Sequence, residues 1–181
     1  MTGSSASSRC PGDLVAAIRG VTRQHADWQR TEELVAEALR RHLPGPGILT
    51  AAERAGDARE YRTYLLHTEP DGSFSVLGLV WRPGQATPIH DHVTWGACGV
   101  LQGTEYEELF ALRDDGAALE QICTNENQAG DVVNFTPPGD IHRVRNHGAD
   151  VAISLHVYGA DISRLGSSVR RVYELPVLVP A

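Results

Sequence analysis

Two stretches decide how this chain is read: GQATPIHDHVTWGACGVLQG at residues 84–103 and GDVVNFTPPGDIHRVRN at residues 130–146. Successive side chains of an extended strand point to opposite faces, so His90 and His92 share one face while Asp91 takes the other. Two imidazoles placed in this way reach a single ion. The second stretch supplies a third imidazole, His142, from across the sheet. Around these stretches the chain keeps a β rhythm. Apolar segments of about five to ten residues (YRTYLLHTE, FSVLGLVWR, TEYEELFALR, LEQICTN and DVAISLHVYG among them) alternate with breaks such as Pro70-Asp71-Gly72, Asp114-Asp115-Gly116 and Asn146-His147-Gly148. No long helical pattern interrupts them, which points to a mainly β sandwich or barrel and not to a parallel α/β sheet.

Upstream the periodicity is helical. Pro11-Gly12-Asp13 precedes LVAAIRGV, and Thr31 precedes EELVAEALRRHL, in which Leu34, Val35, Ala38, Leu39 and Leu43 recur at helical spacing. Arg40, Arg41 and His42 suit the negative end of that helix, and Pro44-Gly45-Pro46-Gly47 stops it. A short helix is expected near Thr50 to Arg54. The resulting division is a disordered tail at 1–11 and a single domain at 12–181. That domain comprises a helical cap over about 12–58, a barrel over about 60–160 and a C-terminal extension at 161–181 that folds back on the sheet.

Composition narrows the function. The 181 residues suffice for one core without disulfides. Sixteen basic against 23 acidic residues, a formal charge of −7, argue against a nucleic-acid or anionic-membrane surface. No run approaches the ~20 apolar residues of a membrane span, and MTGSSASSRCPG lacks the apolar core of a secretory signal. Cys10, Cys98 and Cys123 form no CxxC pair and no even framework, which suits reduced thiols in a cytoplasm. The expected partners are small molecules, with no nucleic acid and no membrane, in a monomer or small homo-oligomer.

A further alternating stretch, Ser154-Leu-His156-Val-Tyr158, puts a hydroxyl, an imidazole and a phenol on one face. These can form a hydrogen-bonded relay ending near a metal. The competing reading is a strand with a polar, partly solvated face.

The two opening stretches resemble the paired motifs of the cupins. In the first, the glycine, the HxH, the later glycine and all spacings agree, but Gly96 stands where the family carries an acidic ligand. In the second, PxG, the histidine and the asparagine agree, and the leading glycine is one residue further away. The resemblance implies a cupin jelly-roll β-barrel. With GDIHRVRN and SLHVY added, the chain looks like the bacterial thiol dioxygenases of the cysteine dioxygenase and 3-mercaptopropionate dioxygenase group, over roughly Tyr61 to Tyr173. That resemblance implies iron(II) held by His90, His92 and His142. It also implies a relay of Ser154, His156 and Tyr158, and oxidation of a small thiol to a sulfinate with O2. Three neutral imidazoles also suit zinc. The alternatives left open are another metal-dependent cupin enzyme, either a different dioxygenase or an isomerase, and a non-catalytic metabolite-binding cupin.

Animal cysteine dioxygenases carry a cysteine near the acidic position that crosslinks to the relay tyrosine. Here the nearest thiol is Cys98, about 7 Å further along the strand than Gly96. The expectation is therefore no crosslink, with Cys98 a small buried hydrophobe. A mercapto-carboxylate substrate needs a cation, and arginine offers a bidentate fork. Cysteine-specific relatives place that arginine on the strand where this chain has Thr63 or Tyr64. The mercaptopropionate-type relatives place it after the tyrosine, which nominates Arg164 and Arg171, with Arg170 beside them and Arg62 in reserve. Together with the space Gly96 is expected to leave beside the metal, this favours a short mercapto-carboxylate over cysteine.

Overall fold

The structure is a computed structural model and describes residues 9–179. It is mainly β, a cupin barrel of two facing sheets with helices on one side. α1 (Gly12–Thr22) and α2 (Trp28–His42) are followed by a short 3-10 turn at Pro46–Ile48 and by α3 (Ala51–Arg54). The strands then run β1 (Arg62–Thr68), β2 (Ser75–Trp81), β3 (His90–His92), β4 (Gly96–Gln102), β5 (Thr104–Leu112), β6 (Leu119–Gln128), β7 (Val132–Phe135), β8 (His142–Arg145) and β9 (Ala152–Tyr158). α4 (Ile162–Leu165), β10 (Val169–Val172) and β11 (Val177–Leu178) complete the chain. One sheet has the order β1-β2-β9-β4-β7 and the other β10-β3-β8-β5-β6-β11.

The helices explain why β2 and β9 are buried along their whole length. Val76 and Val80 of β2 and Ile153, Leu155 and Val157 of β9 pack outward against Leu14, Ile18, Val35 and Leu39 of the first two helices. The alternate residues Leu77, Leu79, Trp81 and Tyr158 face the barrel interior. Close approach at the end of α2 depends on Gly99, where a Cβ would lie 2.4 Å from Leu43 Cδ1. The extension folds back as expected: β10 pairs with β3 and β11 with β6.

Local details correct two expectations. The second helix starts earlier than Thr31, because Asp27 caps it by accepting the Arg30 N–H at 2.7 Å, while Thr31 turns its hydroxyl to Ala26 O at 3.3 Å within the helix. The tail expected at 1–11 lies outside the described residues up to residue 8, and Arg9 and Cys10 make contacts with the rest of the chain. The Arg9 N–H bonds Leu66 O, its guanidinium grips both oxygens of Glu53, and Cys10 is buried among the helices. Thr50 caps α3 with Glu53 in a reciprocal capping box, so the two-pronged ion pair ties Arg9 to a fixed carboxylate. Among the described residues no helix is long and apolar enough to cross a membrane.

Candidate metal centre and its relay

Register brings the three histidines together. β3 pairs antiparallel with β8 so that His90 lies opposite His142, and His92 follows two residues later on the same face. Ring centroids are 4.7 Å apart for His90–His92 and His90–His142 and 5.0 Å for His92–His142. One ligand nitrogen from each lies within 4.8 Å of the others, and no carboxylate belongs to this set. Asp91 faces the opposite way, accepting the Tyr173 hydroxyl at 2.9 Å.

The other ring nitrogens are all occupied. Nδ1 of His90 meets Pro88 O at 2.9 Å, Nδ1 of His92 meets Asp140 Oδ2 at 2.9 Å, and Nδ1 of His142 meets Glu107 Oε1 at 2.8 Å. A carbonyl or an ionised carboxylate can only accept, so each Nδ1 carries the hydrogen and each Nε2 keeps its lone pair. Burial raises the pKa of Asp140 and Glu107, but hydrogen bonds from His92 and His142 outweigh it, and both carboxyls end below their usual range. Burial first, then the neighbouring His142 and His92, pushes His90 down to about 3. Three buried, pre-oriented imidazoles with anchored Nδ1 atoms are the donor set a divalent transition metal takes. The residues present therefore fit the ion.

Gly96 does not leave the expected space. Its missing Cβ would lie 2.3 Å from Phe135 Cζ. The glycine thus admits the Phe135 ring, which stacks on His92 at 4.3 Å and packs 5.6 Å from His142. Where an acidic ligand would stand, an aromatic wall holds the imidazoles in place.

Beside this set runs a line of hydrogen bonds on β9. Ser154 Oγ lies 2.9 Å from His156 Nε2, and His156 Nδ1 lies 3.2 Å from the Tyr158 hydroxyl. Trp81 Nε1, a donor only, contributes its N–H to Ser154 Oγ at 3.3 Å. Burial pushes His156 down to about 3 and the Tyr158 phenol well above its usual value. Both are neutral, and the polar face of this strand is buried, not solvated. A neutral imidazole has one donor and one acceptor nitrogen. When Nε2 accepts from Ser154, Nδ1–H donates to Tyr158 and the phenol proton is free to point outward. The Ser168 hydroxyl, which sequence reading missed, lies by the phenol on the cavity wall and offsets part of the effect of burial.

Cys98 pairs with His156 in the β4–β9 register, its Sγ 3.3 Å from Nε2, while Gly96 pairs with Tyr158. With no thiol opposite the phenol, the intact mass of the protein is expected to show no loss of two hydrogens to a Cys98–Tyr158 bond. A two-hydrogen deficit that disappears in Cys98→Ala would contradict this.

Glu105 was also missed. It alternates inward with Glu107 on β5, a pattern visible in TEYEEL, and is 3% exposed. Its Oε2 faces the Cys98 thiol at 3.9 Å and its Oε1 has no hydrogen-bond partner. Burial raises its pKa to about 7. The folded state therefore keeps a proton that the unfolded chain gives up near 4.5, so stability from this group is full below that pH and falls as pH rises through 7. The penalty above pH 7 is about 3 kcal/mol. Glu105→Gln should unfold at a urea midpoint close to the parent's at pH 4.5 and clearly above it at pH 8. Parallel pH profiles for the two proteins would contradict the assignment.

A cavity of about 280 Å³ opens onto His90, His142 and Tyr158, with Tyr61, Thr63 and Ser168 on its walls. The arginines expected to anchor a carboxylate are not there. Arg164 is 84% exposed and pairs with Asp161 at 3.2 Å. Arg171 points outward, 3.8 Å from Asp91 and over the Tyr173 ring. Arg170 borders a shallow outer groove with Trp28 and Pro137. Arg62 is held by Asp57 and Glu60, on the side of the chain opposite Tyr61 and Thr63, which border the cavity.

Two facing β sheets that present three histidines and no acidic ligand define a cupin with the donor set for a metal ion. The family model for cysteine dioxygenase type I matches residues 1–167, and the chain belongs to that family. Among solved structures it is similar to oxalate oxidase in complex with the substrate analogue glycolate, at 18% identity and TM-score 0.47, covering 58% of this chain and 53% of that one. It is also similar to Bacillus subtilis oxalate decarboxylase, at 22% identity and TM-score 0.47, covering 58% and 27%. A third is an uncharacterized conserved protein with a double-stranded β-helix domain from Klebsiella pneumoniae subsp. pneumoniae, at 17% identity and TM-score 0.48, covering 62% and 84%. The chain spans about half the length of the oxalate oxidase chain.

Proposed function

We propose that this protein is an iron(II)-dependent thiol dioxygenase that converts a small thiol to its sulfinate, incorporating both atoms of O2. The observation that carries this reading is the juxtaposition of a three-histidine set with the buried Ser154–His156–Tyr158 line across one cavity. His90, His92 and His142 would hold the iron, which when bound would bring sulfur and O2 together and relay the four electrons that the sulfur gives up to O2. Three uncharged ligands leave the ion's charge uncompensated, so an anionic thiolate is favoured over a neutral thiol.

The chain's own residues do the rest. Phe135, Leu77 and Trp81 enclose the space and limit water. Tyr158 presents a neutral hydroxyl to the cavity, and His156 fixes its direction by donating Nδ1–H to it. Ser154 sets the tautomer of His156 and is itself held by Trp81. The phenol can thus donate a hydrogen bond to a reacting oxygen and recover its proton through the imidazole.

The test is isotopic. Under isotopically heavy O2 the iron-loaded protein should yield a sulfinate with two heavy oxygens. A disulfide as the only product, or a sulfinate whose oxygens come from water, would contradict the reading.

A further inference from the structure

The cavity beside the histidines carries no charged side chain. Its polar side chains are the hydroxyls of Tyr61, Thr63, Thr87, Tyr158, Ser167 and Ser168, the Trp81 indole and the imidazoles described above. All sixteen basic residues of the chain are arginines, all lie among the described residues, and none lines the cavity. Several that neighbour its walls in sequence are paired elsewhere: Arg62 with Asp57 and Glu60, Arg164 with Asp161, Arg143 and Arg145 with Glu108, and Arg171 with Asp91, while Arg170 borders the outer groove. No aspartate or glutamate lines it either.

A charged tail moved from water into such a space loses hydration and meets no side-chain counter-ion. A carboxylate finds no guanidinium fork, and an ammonium finds no carboxylate. Hydroxyls, by contrast, both donate and accept, and so satisfy a neutral polar tail. Tyr61 is kept in place by stacking on Trp81 at 4.4 Å, and Thr63 follows it on the same face of β1. They form a neutral wall of the cavity, with Thr63 on its solvent-exposed side.

We propose that this cavity selects a short thiol whose tail is uncharged and polar, such as an alcohol or amide, and discriminates against mercapto-carboxylates and aminothiols. The proposal rests on the thiol dioxygenase reading and departs from the carboxylate substrate expected from the sequence. Thr63 and Tyr61 are its specificity-determining residues.

The experiment compares 3-mercaptopropionamide with 3-mercaptopropionate, equal in length and differing by one charge, with cysteamine as the cationic arm. Binding to the iron(II)-loaded protein is measured by calorimetry without O2, so that no turnover is needed. The amide should bind at least about tenfold more tightly than the acid, the scale of an unmet charge-assisted hydrogen bond. Thr63→Arg, which adds a guanidinium to the wall, should reverse that order, and Ser168→Arg repeats the test from the opposite side should the first variant not fold. Tighter binding of the acid to the parent protein overturns this proposal and leaves the dioxygenase reading standing. Failure of all three thiols to bind the iron-loaded protein overturns both.

Discussion

His92→Ala is expected to leave a folded protein that retains no iron. His92 supplies one of three ligand nitrogens and is also the best anchored of them: Asp140 Oδ2 takes both its ring Nδ1–H and its backbone N–H at 2.9 Å. Removing the ring takes away a ligand, while the backbone N–H of residue 92 still bonds Asp140 Oδ2. Loss of a hydrogen-bonding partner behind a ligand commonly costs 10- to 100-fold in metal affinity, and loss of the ligand itself should cost more. Metal analysis after desalting should find close to one iron per parent chain and almost none in the variant, with unchanged far-ultraviolet circular dichroism. A variant that keeps stoichiometric iron would remove His92 from the site.

Tyr158→Phe has the second-largest expected effect, and it separates chemistry from assembly. Only a hydroxyl is lost. The ring remains packed 5.8 Å from His92 and 6.4 Å from Phe135, so iron content should be unchanged. His156 Nδ1 loses its partner in a buried position, a cost of about 1–3 kcal/mol in stability. Turnover should fall by about 10²- to 10⁴-fold, the range a positioned acid–base group commonly supplies. Steady-state oxygen uptake at equal iron loading measures it, and an unchanged rate would reduce the β9 line to a structural hydrogen-bond network.

The metal set was legible in the sequence because each of its determinants is local. HDH encodes a shared face through strand alternation, and the spacing around His142 fixes the strand that delivers it. The relay was legible for the same reason, since Ser154, His156 and Tyr158 lie on one strand. What surrounds them depends on contacts between strands, which spacing does not encode. The place of Phe135 beside Gly96 follows from β4–β7 pairing at Gly96 opposite Phe135, a register set by the whole barrel. Glu105 carried a local signal, its alternation with Glu107, but its burial comes from packing beneath Cys98. The arginines show the reverse case. Arg164, Arg170 and Arg171 were plausible by chain position, yet α4 and the pairing of β10 with β3 turn them outward and bring Ser168 to the phenol instead.

The three-histidine set and the β9 line are proposed to oxidise thiols with O2. The most direct measurement is oxygen uptake by the iron(II)-loaded protein on addition of a panel of short thiols with neutral, anionic and cationic tails. The account predicts uptake that requires both iron and thiol, with one O2 consumed for each sulfinate formed. A fully iron-loaded protein that consumes no O2 with any thiol of the panel would contradict it.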